Sequence, residues 1–211
     1  MCDKGRQQKN SCKRRELTPK RFPDLFPWAI KRLGNAIQQG AVIVYPTDTI
    51  WGLGCHPQLA HSVSRILSIK QRPVEKGLIL LCSNLDYFAP YISDQLSAEQ
   101  TNRLTQKTGH PITWLIPAST HCPDWIRGHS SYVAIRVTSH PFVSTICQQI
   151  QSPIVSTSAN RAGCAPVRNS WQARRKFIDQ VDSIVCGYDS GTMRASEIKS
   201  LESGQIFRER H

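Results

Sequence analysis

Short unbroken apolar runs alternate along this 211-residue chain with segments of helical periodicity, and this alternation most constrains its fold. The first run covers residues 41–45 and is ended by Pro46, and its continuous apolar content is typical of a strand buried on both faces. Just before it, residues 28–39 carry apolar side chains at helical spacing, and Gly40 supplies a helix stop. The alternation predicts an open, twisted mixed α/β sheet flanked by helices.

The same criteria predict the remaining elements. Strands are expected over residues 41–45, 77–82, 112–116, 133–137, 154–156, 183–186 and 205–207. Helices are expected over residues 28–39, 61–69, 85–92, 98–107, 142–150 and 171–178. Ser97 and Gln100 have the spacing of a capping box. No repeat, low-complexity stretch or linker interrupts the body, so a single domain is expected over residues 25–211.

The N-terminal residues 1–24 differ from this body. They are rich in Lys and Arg and lack hydrophobic periodicity, which is typical of a flexible basic arm. Such an arm is either a solvated tail or a segment attracted to RNA phosphates, and the sequence leaves both open. The chain as a whole has a net charge of +12, and the excess on the body suits a cleft that receives anions.

Several classes of protein are excluded by what the sequence lacks. No stretch has the roughly 18 to 20 consecutive apolar residues of a membrane span, and no secretory signal is present, so a cytoplasmic location is expected. The eight cysteines show neither disulfide nor zinc spacing, which predicts reduced thiols and no metal site. No P-loop, zinc-protease or serine-hydrolase motif occurs.

Polar residues follow several of the predicted strands, where ligands of open α/β sheets bind. Thr47, Asp48 and Thr49 come directly after the first strand, and Gly52 and Gly54 allow a ligand to approach the backbone. A capped turn would use the same residue types, so this segment alone does not establish a site.

Lys70 and Arg72 form the second candidate group. Pro73 favours an extended conformation at Arg72, and side chains two residues apart in an extended chain point the same way. The two cations can therefore converge on one anion. The alternative is that they complement the dipole of a helix end.

Hydroxyl and amide side chains follow the predicted strand at 154–156. Ser156, Ser158 and Asn160, with the backbone N–H groups of this loop, can present donors to a phosphate. The segment can equally be a hydrogen-bonded turn.

Two polar residues lie inside predicted strands. Arg136 stands in an otherwise apolar run, where an unpaired charge is costly, so it needs a carboxylate from the protein or from a substrate. Thr113 occupies the strand at 112–116.

Together these segments resemble the YrdC/Sua5 family, closest to its short, single-domain TsaC form. The matching segments occur in family order: Tyr45-Pro46-Thr47-Asp48-Thr49, Gly52-Leu53-Gly54, Lys70-Gln71-Arg72-Pro73, Val133-Ala134-Ile135-Arg136-Val137, Ser156-Thr157-Ser158-Ala159-Asn160, Ser196-Glu197-Ile198 and Ile206-Phe207-Arg208. Long members carry a proline and a histidine where this chain has Gly77 and Leu81, which favours the short form.

The resemblance implies a threonylcarbamoyl-AMP synthase, a nucleotidyltransferase that converts L-threonine, bicarbonate and ATP, with Mg²⁺, to threonylcarbamoyl-adenylate and pyrophosphate. It implies a large concave basic cavity in a YrdC-like domain. Partner proteins of the TsaD, TsaB and TsaE kind would then modify tRNA adenosine 37 to t6A.

The resemblance also assigns roles to individual residues. It implies catalytic roles for Lys70 and Arg72. The implied nucleotide-binding residues are Lys70, Arg72, Ser156, Ser158, Asn160 and Arg208. The implied threonine-binding residues are Thr47, Thr113, Arg136 and Ser196.

Two rival functions remain. The first is nonspecific binding of double-stranded RNA or tRNA in the basic cavity, although the sequence has no cluster of aromatic residues for stacking bases. The second is a related carbamoyl- or phosphate-handling enzyme on the same fold.

Overall fold

A mixed β-sheet of nine strands organises the computed structural model, which describes residues 27–93, 95–187 and 194–209. The strands are β1 Ile43–Tyr45, β2 Gly52–Gly54, β3 Ile79–Cys82, β4 Ile112–Pro117, β5 Tyr132–Val137, β6 Ile154–Ser158, β7 Ser183–Ile184, β8 Glu197–Ser200 and β9 Ile206–Arg208. Their order across the sheet is β7-β1-β2-β6-β3-β5-β4-β8-β9. The β1/β7, β3/β5 and β4/β8 pairs are parallel and the others are antiparallel.

Helices lie between the strands. The α-helices are α1 Pro27–Gln38, α2 Ala60–Lys70, α3 Ala98–Thr105, α4 Asp124–Arg127, α5 Pro141–Ile150 and α6 Ser170–Phe177. Two 3₁₀ segments cover Val74–Lys76 and Leu85–Tyr91. The second was predicted as an α-helix; Pro90 lies inside it, and proline lacks the N–H that a continuing helix needs.

The mixed α/β architecture predicted from the sequence is therefore confirmed, and so is the capping box that joins Ser97 and Gln100. Four short elements were not predicted: β2, β8, α4 and the 3₁₀ segment Val74–Lys76. The basic arm predicted over residues 1–24 lies outside the described part of the chain. Among the described residues, no helix is long and apolar enough to cross a membrane.

One hydrophobic core joins the sheet to helices α1, α2 and α5. In α5, Phe142, Ile146 and Ile150 are buried at the spacing of one helix face. Ile66 of α2 and Ile37 of α1 are fully buried in the same cluster. The core lies against the central strands and fixes the sheet that carries the polar residues.

The backbone of strand β2 packs unusually close to its two neighbours, β1 and β6. It pairs with β1 on one side and β6 on the other. A Cβ added to Gly54 would stand 2.6 Å from the carbonyl oxygen of Val155 and 2.6 Å from Cε1 of Tyr45, so a side chain cannot fit there. The glycines therefore serve strand pairing, where the sequence had indicated a loop.

Strand β5 separates the core from the opposite face of the sheet. Val133 and Ile135 are fully buried in the core, whereas Tyr132, Ala134 and Arg136 line a cavity on the other face. This alternation follows from the two-residue period of a strand. Arg136 can therefore stand in an apolar strand without entering the hydrophobic core.

Candidate functional site

A cavity of about 360 Å³ lies over the face of the sheet opposite the core. Its wall includes Ser156 and Ser158 from β6, Ala134 and Arg136 from β5, and Arg208 from β9. We expected Ser158 just after its strand, and this was wrong, because β6 extends to Ser158. Arg136 lies within β5, as its apolar neighbours had predicted. The alternation of side chains, rather than the strand ends, positions this wall.

Positive charge dominates the lining. The charged side chains on the cavity wall are all basic: Arg72, Lys76, Arg127, Arg136 and Arg208. No carboxylate stands among the lining residues of the described chain. Burial lowers the pKa of Arg208, and the charges of Arg136 and Arg72 act in the same direction. The cavity therefore favours an anionic ligand.

Arg136 obtains its carboxylate from within the protein. One terminal nitrogen donates to Oδ1 of Asp48 at 3.0 Å and the other to Oγ1 of Thr49 at 3.1 Å. The Arg136 side chain is only 6% exposed, and its buried Nε has no hydrogen-bond partner among the described residues. The loop after β1 thus holds the guanidinium in place, a partnership that the sequence did not identify.

Arg72 is held by backbone oxygens. Its Nη2 donates to the carbonyls of Lys76 and Gly77, both at 3.1 Å. The extended geometry predicted for residues 70–72 is wrong, because Lys70 ends α2 and Gln71 adopts a left-handed conformation with φ 52°. The left-handed residue turns the chain sharply, and Arg72 still reaches the cavity.

Lys70 stands behind the cavity wall and holds the end of β6. Its Nζ donates to the carbonyl oxygens of Ser158 at 2.5 Å and Asn160 at 3.0 Å, and Oδ1 of Asn160 lies 3.0 Å away. Burial, with a smaller contribution from the charge of Arg72, lowers the pKa of Lys70 to about 8. Lys70 is 5% exposed, so its charge acts through the loop that it organises.

The residues predicted to form the site fall into two groups. Six of them line the cavity: Arg72, Arg136, Ser156, Ser158, Ser196 and Arg208. The other four, Thr47, Lys70, Thr113 and Asn160, do not line it, yet each contacts a lining residue.

These contacts are hydrogen bonds between side chains. Thr47 Oγ1 lies 3.0 Å from Oγ1 of Thr49, and Thr113 Oγ1 lies 2.7 Å from Oγ of Ser196. Ser158 donates to Oδ1 of Asn160 at 2.6 Å. The four residues therefore support the wall from behind.

Other lining residues were not predicted from the sequence. Lys76 and Arg127 add charge at the wall, and Tyr132 and Phe207 add exposed aromatic surface. The two cations could not be found from the predicted strands, because the 3₁₀ segment that carries Lys76 and the helix α4 that carries Arg127 were themselves not predicted.

No group of three or more His, Cys, Asp or Glu side chains able to hold a metal occurs in residues 27–93, 95–187 and 194–209. The side-chain oxygens of the lining residues belong to hydroxyl groups such as those of Ser156 and Ser158. Carboxylates, which Mg²⁺ usually takes from a protein, are not among them.

The sheet and its basic cavity define an α/β protein built to receive anions. A family model that covers Sua5, YciO and YrdC, described as "Telomere recombination", matches residues 35–209. The chain therefore belongs to the Sua5/YciO/YrdC family.

Relatives of the family are similar along most of this chain. A threonylcarbamoyl-AMP synthase of Cellvibrio japonicus is 44% identical over 174 residues, which cover 82% of this chain and 92% of the relative. A threonylcarbamoyl-AMP synthase of Marinobacter nauticus is 40% identical over 187 residues, covering 88% and 97%.

Solved structures show the same fold. P. abyssi Sua5 in complex with L-threonine superimposes with a TM-score of 0.79 at 23% identity, covering 87% of this chain and 54% of that longer chain. E. coli YciO superimposes with a TM-score of 0.72 at 23% identity, covering 86% and 88%.

Proposed function

We propose that this chain is a threonylcarbamoyl-AMP synthase, a nucleotidyltransferase that forms an adenylate from L-threonine, bicarbonate and ATP and releases pyrophosphate. The observation that carries the proposal is the 44% identity to a threonylcarbamoyl-AMP synthase over 92% of that relative's length. The basic cavity supports it independently, because ATP, bicarbonate and both products are anions.

The chemical step joins a carboxylate to a phosphate. The amine of threonine forms a bond to the carbon of bicarbonate, a C–O bond of bicarbonate breaks, and water leaves. In the N-carboxylated threonine that results, an oxygen of the new carbamate group attacks the α-phosphorus of ATP. The bond from that phosphorus to the bridging oxygen of the β-phosphate breaks, and pyrophosphate leaves with the electron pair. Negative charge grows on the phosphate oxygens, so fixed cations that face them lower the barrier.

Arg72 and Arg208 fit this role on the nucleotide side. Each has one terminal nitrogen bound to backbone oxygens, which orients the guanidinium toward the cavity before a ligand arrives. A cation that is already oriented loses little entropy when the phosphates bind. Lys70 acts by holding the Ser158 and Asn160 loop that faces the same phosphates.

Threonine fits against the hydroxyl of Ser196, which Thr113 holds from behind the cavity wall at 2.7 Å. Both residues are buried, and Ser196 also accepts from Arg208, so the pair connects the amino-acid side of the cavity to the nucleotide side. Arg136, held by Asp48 and Thr49, supplies a nearby positive charge for a carboxylate.

Mg²⁺ enters this scheme as part of the substrate, bound to the phosphates of ATP. The hydroxyl groups of Ser156 and Ser158 are the oxygens that the cavity wall offers near the phosphates, and they suit an ion that keeps most of its water. The protein's cations then neutralise the charge that the metal leaves on the phosphates.

The adenylate would serve t6A formation on tRNA adenosine 37 in the cytoplasm, with partner proteins of the TsaD, TsaB and TsaE kind. RNA binding in the cavity is the alternative function. Its affinity would fall steeply with salt, whereas synthesis of the adenylate would need no RNA.

The test is pyrophosphate release by the purified chain with ATP, labelled bicarbonate and each amino acid in turn. Release should require both threonine and bicarbonate, and the label should appear in an adenylate. If pyrophosphate release is independent of threonine and bicarbonate, the proposal is wrong. Serine, which lacks only the methyl group of threonine, is the informative control substrate.

A further inference from the structure

Lys76 differs from the other four cations of the cavity wall. Arg72, Arg127, Arg136 and Arg208 each donate hydrogen bonds to protein oxygens. The Lys76 ammonium has no hydrogen bond or ion pair with any described residue. Its side chain is exposed at the wall, so its donors are available to a ligand.

The backbone around Lys76 is fixed even though its side chain is not bound. Its carbonyl accepts from Arg72 at 3.1 Å, and the next residue, Gly77, accepts from the same nitrogen. Gly77 has φ 58°, a conformation that favours glycine and that proline cannot adopt. The N–H of Leu78 then donates to the carbonyl of Ile126 at 2.8 Å, which ties the turn to α4.

Arg72 therefore links two functions in one turn. Its guanidinium faces the cavity, and its hydrogen bonds hold the residue that carries the unbound ammonium. A lysine on a flexible stem can follow a charged group that moves, which a fixed arginine fork cannot. In the proposed reaction the pyrophosphate is such a group, because it gains negative charge as its bond to the α-phosphorus breaks and then leaves the cavity.

We propose that Lys76 binds the terminal phosphates of ATP and the leaving pyrophosphate, as a positioning cation that nothing in the motif pattern had indicated. The inference rests on the proposed function for its account of turnover, but the binding of ATP and of pyrophosphate can be measured without threonine. Lys76 thereby completes a set in which fixed arginines hold the reacting phosphate and one free cation holds the departing group.

The experiment compares Lys76→Met, Lys76→Arg and Lys76→Glu in the full chain with Lys107→Met, a control at another exposed lysine outside the cavity. Lys76→Met should lower kcat/KM for ATP about tenfold, a change worth about 1.4 kcal/mol. Lys76→Glu should lower it further, and Lys76→Arg should restore most of it. KM for threonine should stay within about twofold, and melting temperatures should not change.

Calorimetric binding of pyrophosphate and of a non-hydrolysable ATP analogue gives the second readout. Both should bind Lys76→Met about tenfold more weakly than Lys107→Met. Equal binding to the two variants, or an effect on KM for threonine alone, would overturn the role of Lys76. If the wild-type chain binds pyrophosphate through Lys76 yet makes no threonine-dependent adenylate, the proposed function fails and the binding role stands.

Discussion

Two parts of the cavity wall are built in different ways. The inner wall is formed by Ser158 with its supports Lys70 and Asn160 behind it, and there a buried lysine binds residues 88 and 90 positions away in the chain. The outer wall consists of Ser196, which directly precedes β8, and Arg208 of β9, 12 positions further along the chain. The inner wall exists only once the whole domain has folded, whereas Arg208 of the outer wall is held by a contact within one pair of strands at the edge of the sheet.

We therefore expect activity and stability to depend on the same residues in the inner wall, and activity alone to depend on the residues of the outer wall. A change in the inner wall should reduce both, because its hydrogen bonds hold the fold and the site together. A change in the outer wall should reduce activity alone, because β9 is exposed and pairs on one side only.

The largest effect is expected for Lys70→Met, which keeps the apolar stem and removes the ammonium. Partly buried oxygens of Ser158 and Asn160 lose their donor. A buried acceptor left unsatisfied costs about 1–3 kcal/mol, so the free energy of unfolding should fall by roughly 2–4 kcal/mol. Activity should fall at least tenfold. Urea denaturation and pyrophosphate release measure the two quantities, with Lys31→Met as the exposed control.

If Lys70→Met loses activity while its free energy of unfolding is unchanged, then activity and stability are independent in the inner wall as well as in the outer one.

Arg72→Gln is expected to come next. It removes a half-buried cation from the cavity and should cost about 1.5–3 kcal/mol of transition-state stabilisation, the range for charged hydrogen bonds. The free energy of unfolding should change by less than about 1 kcal/mol, because the lost bonds go to two nearby carbonyls. Wild-type kcat/KM for ATP in this variant would contradict its place among the phosphate-binding residues.

Arg208→Gln should have a smaller effect, confined to activity. The loss of one cation from an exposed edge strand should lower kcat/KM for ATP about fivefold, or roughly 1 kcal/mol. The denaturation midpoint should not move. A marked loss of stability would show that β9 is as integral to the fold as β6.

The smallest effect concerns pH. The pKa of Lys70 is lowered to about 8, so half of the ammonium groups lose their charge at that pH, and binding of a non-hydrolysable ATP analogue should weaken about twofold there and further above it. Because the pKa in the unfolded chain is near 10.4, folding releases a proton between about pH 8 and 10. This group therefore makes the fold more stable as the pH rises through that window, so weaker binding should appear without unfolding.

Calorimetry in the absence of threonine measures this binding, which keeps the titration of the threonine amine out of the result. A pH-independent affinity from pH 7 to 9.5 would mean that the charge of Lys70 does not reach the nucleotide through the inner wall.

The strands and helices with long apolar patterns could be predicted from the sequence, because burial on a sheet or helix face leaves a clear period. Strand β2 could not, because two of its three residues are glycines and carry no hydrophobic signal. The need of Arg136 for a carboxylate was evident from its apolar neighbours. Asp48 was not evident as the partner, because the two residues are 88 positions apart and only the folded sheet brings them together.

The site residues show the same division. Motif order placed Arg72 and Arg208 among the candidates, and both line the cavity. It could not distinguish them from Lys70 and Thr113, which support the wall from behind, because a sequence motif does not show which side of a loop or strand a residue occupies.

The close packing of β2 between β1 and β6 also limits which substitutions this domain can tolerate. Gly54 lies where any side chain would collide with Tyr45 and with the backbone of β6, although it offers a ligand no side-chain donor or charge. A saturation-mutagenesis map should therefore show near-complete intolerance at Gly54, as severe as at residues that contact substrate. This intolerance would reflect the close spacing of the strands. A ranking of positions by mutational sensitivity alone would therefore wrongly assign Gly54 to the active site.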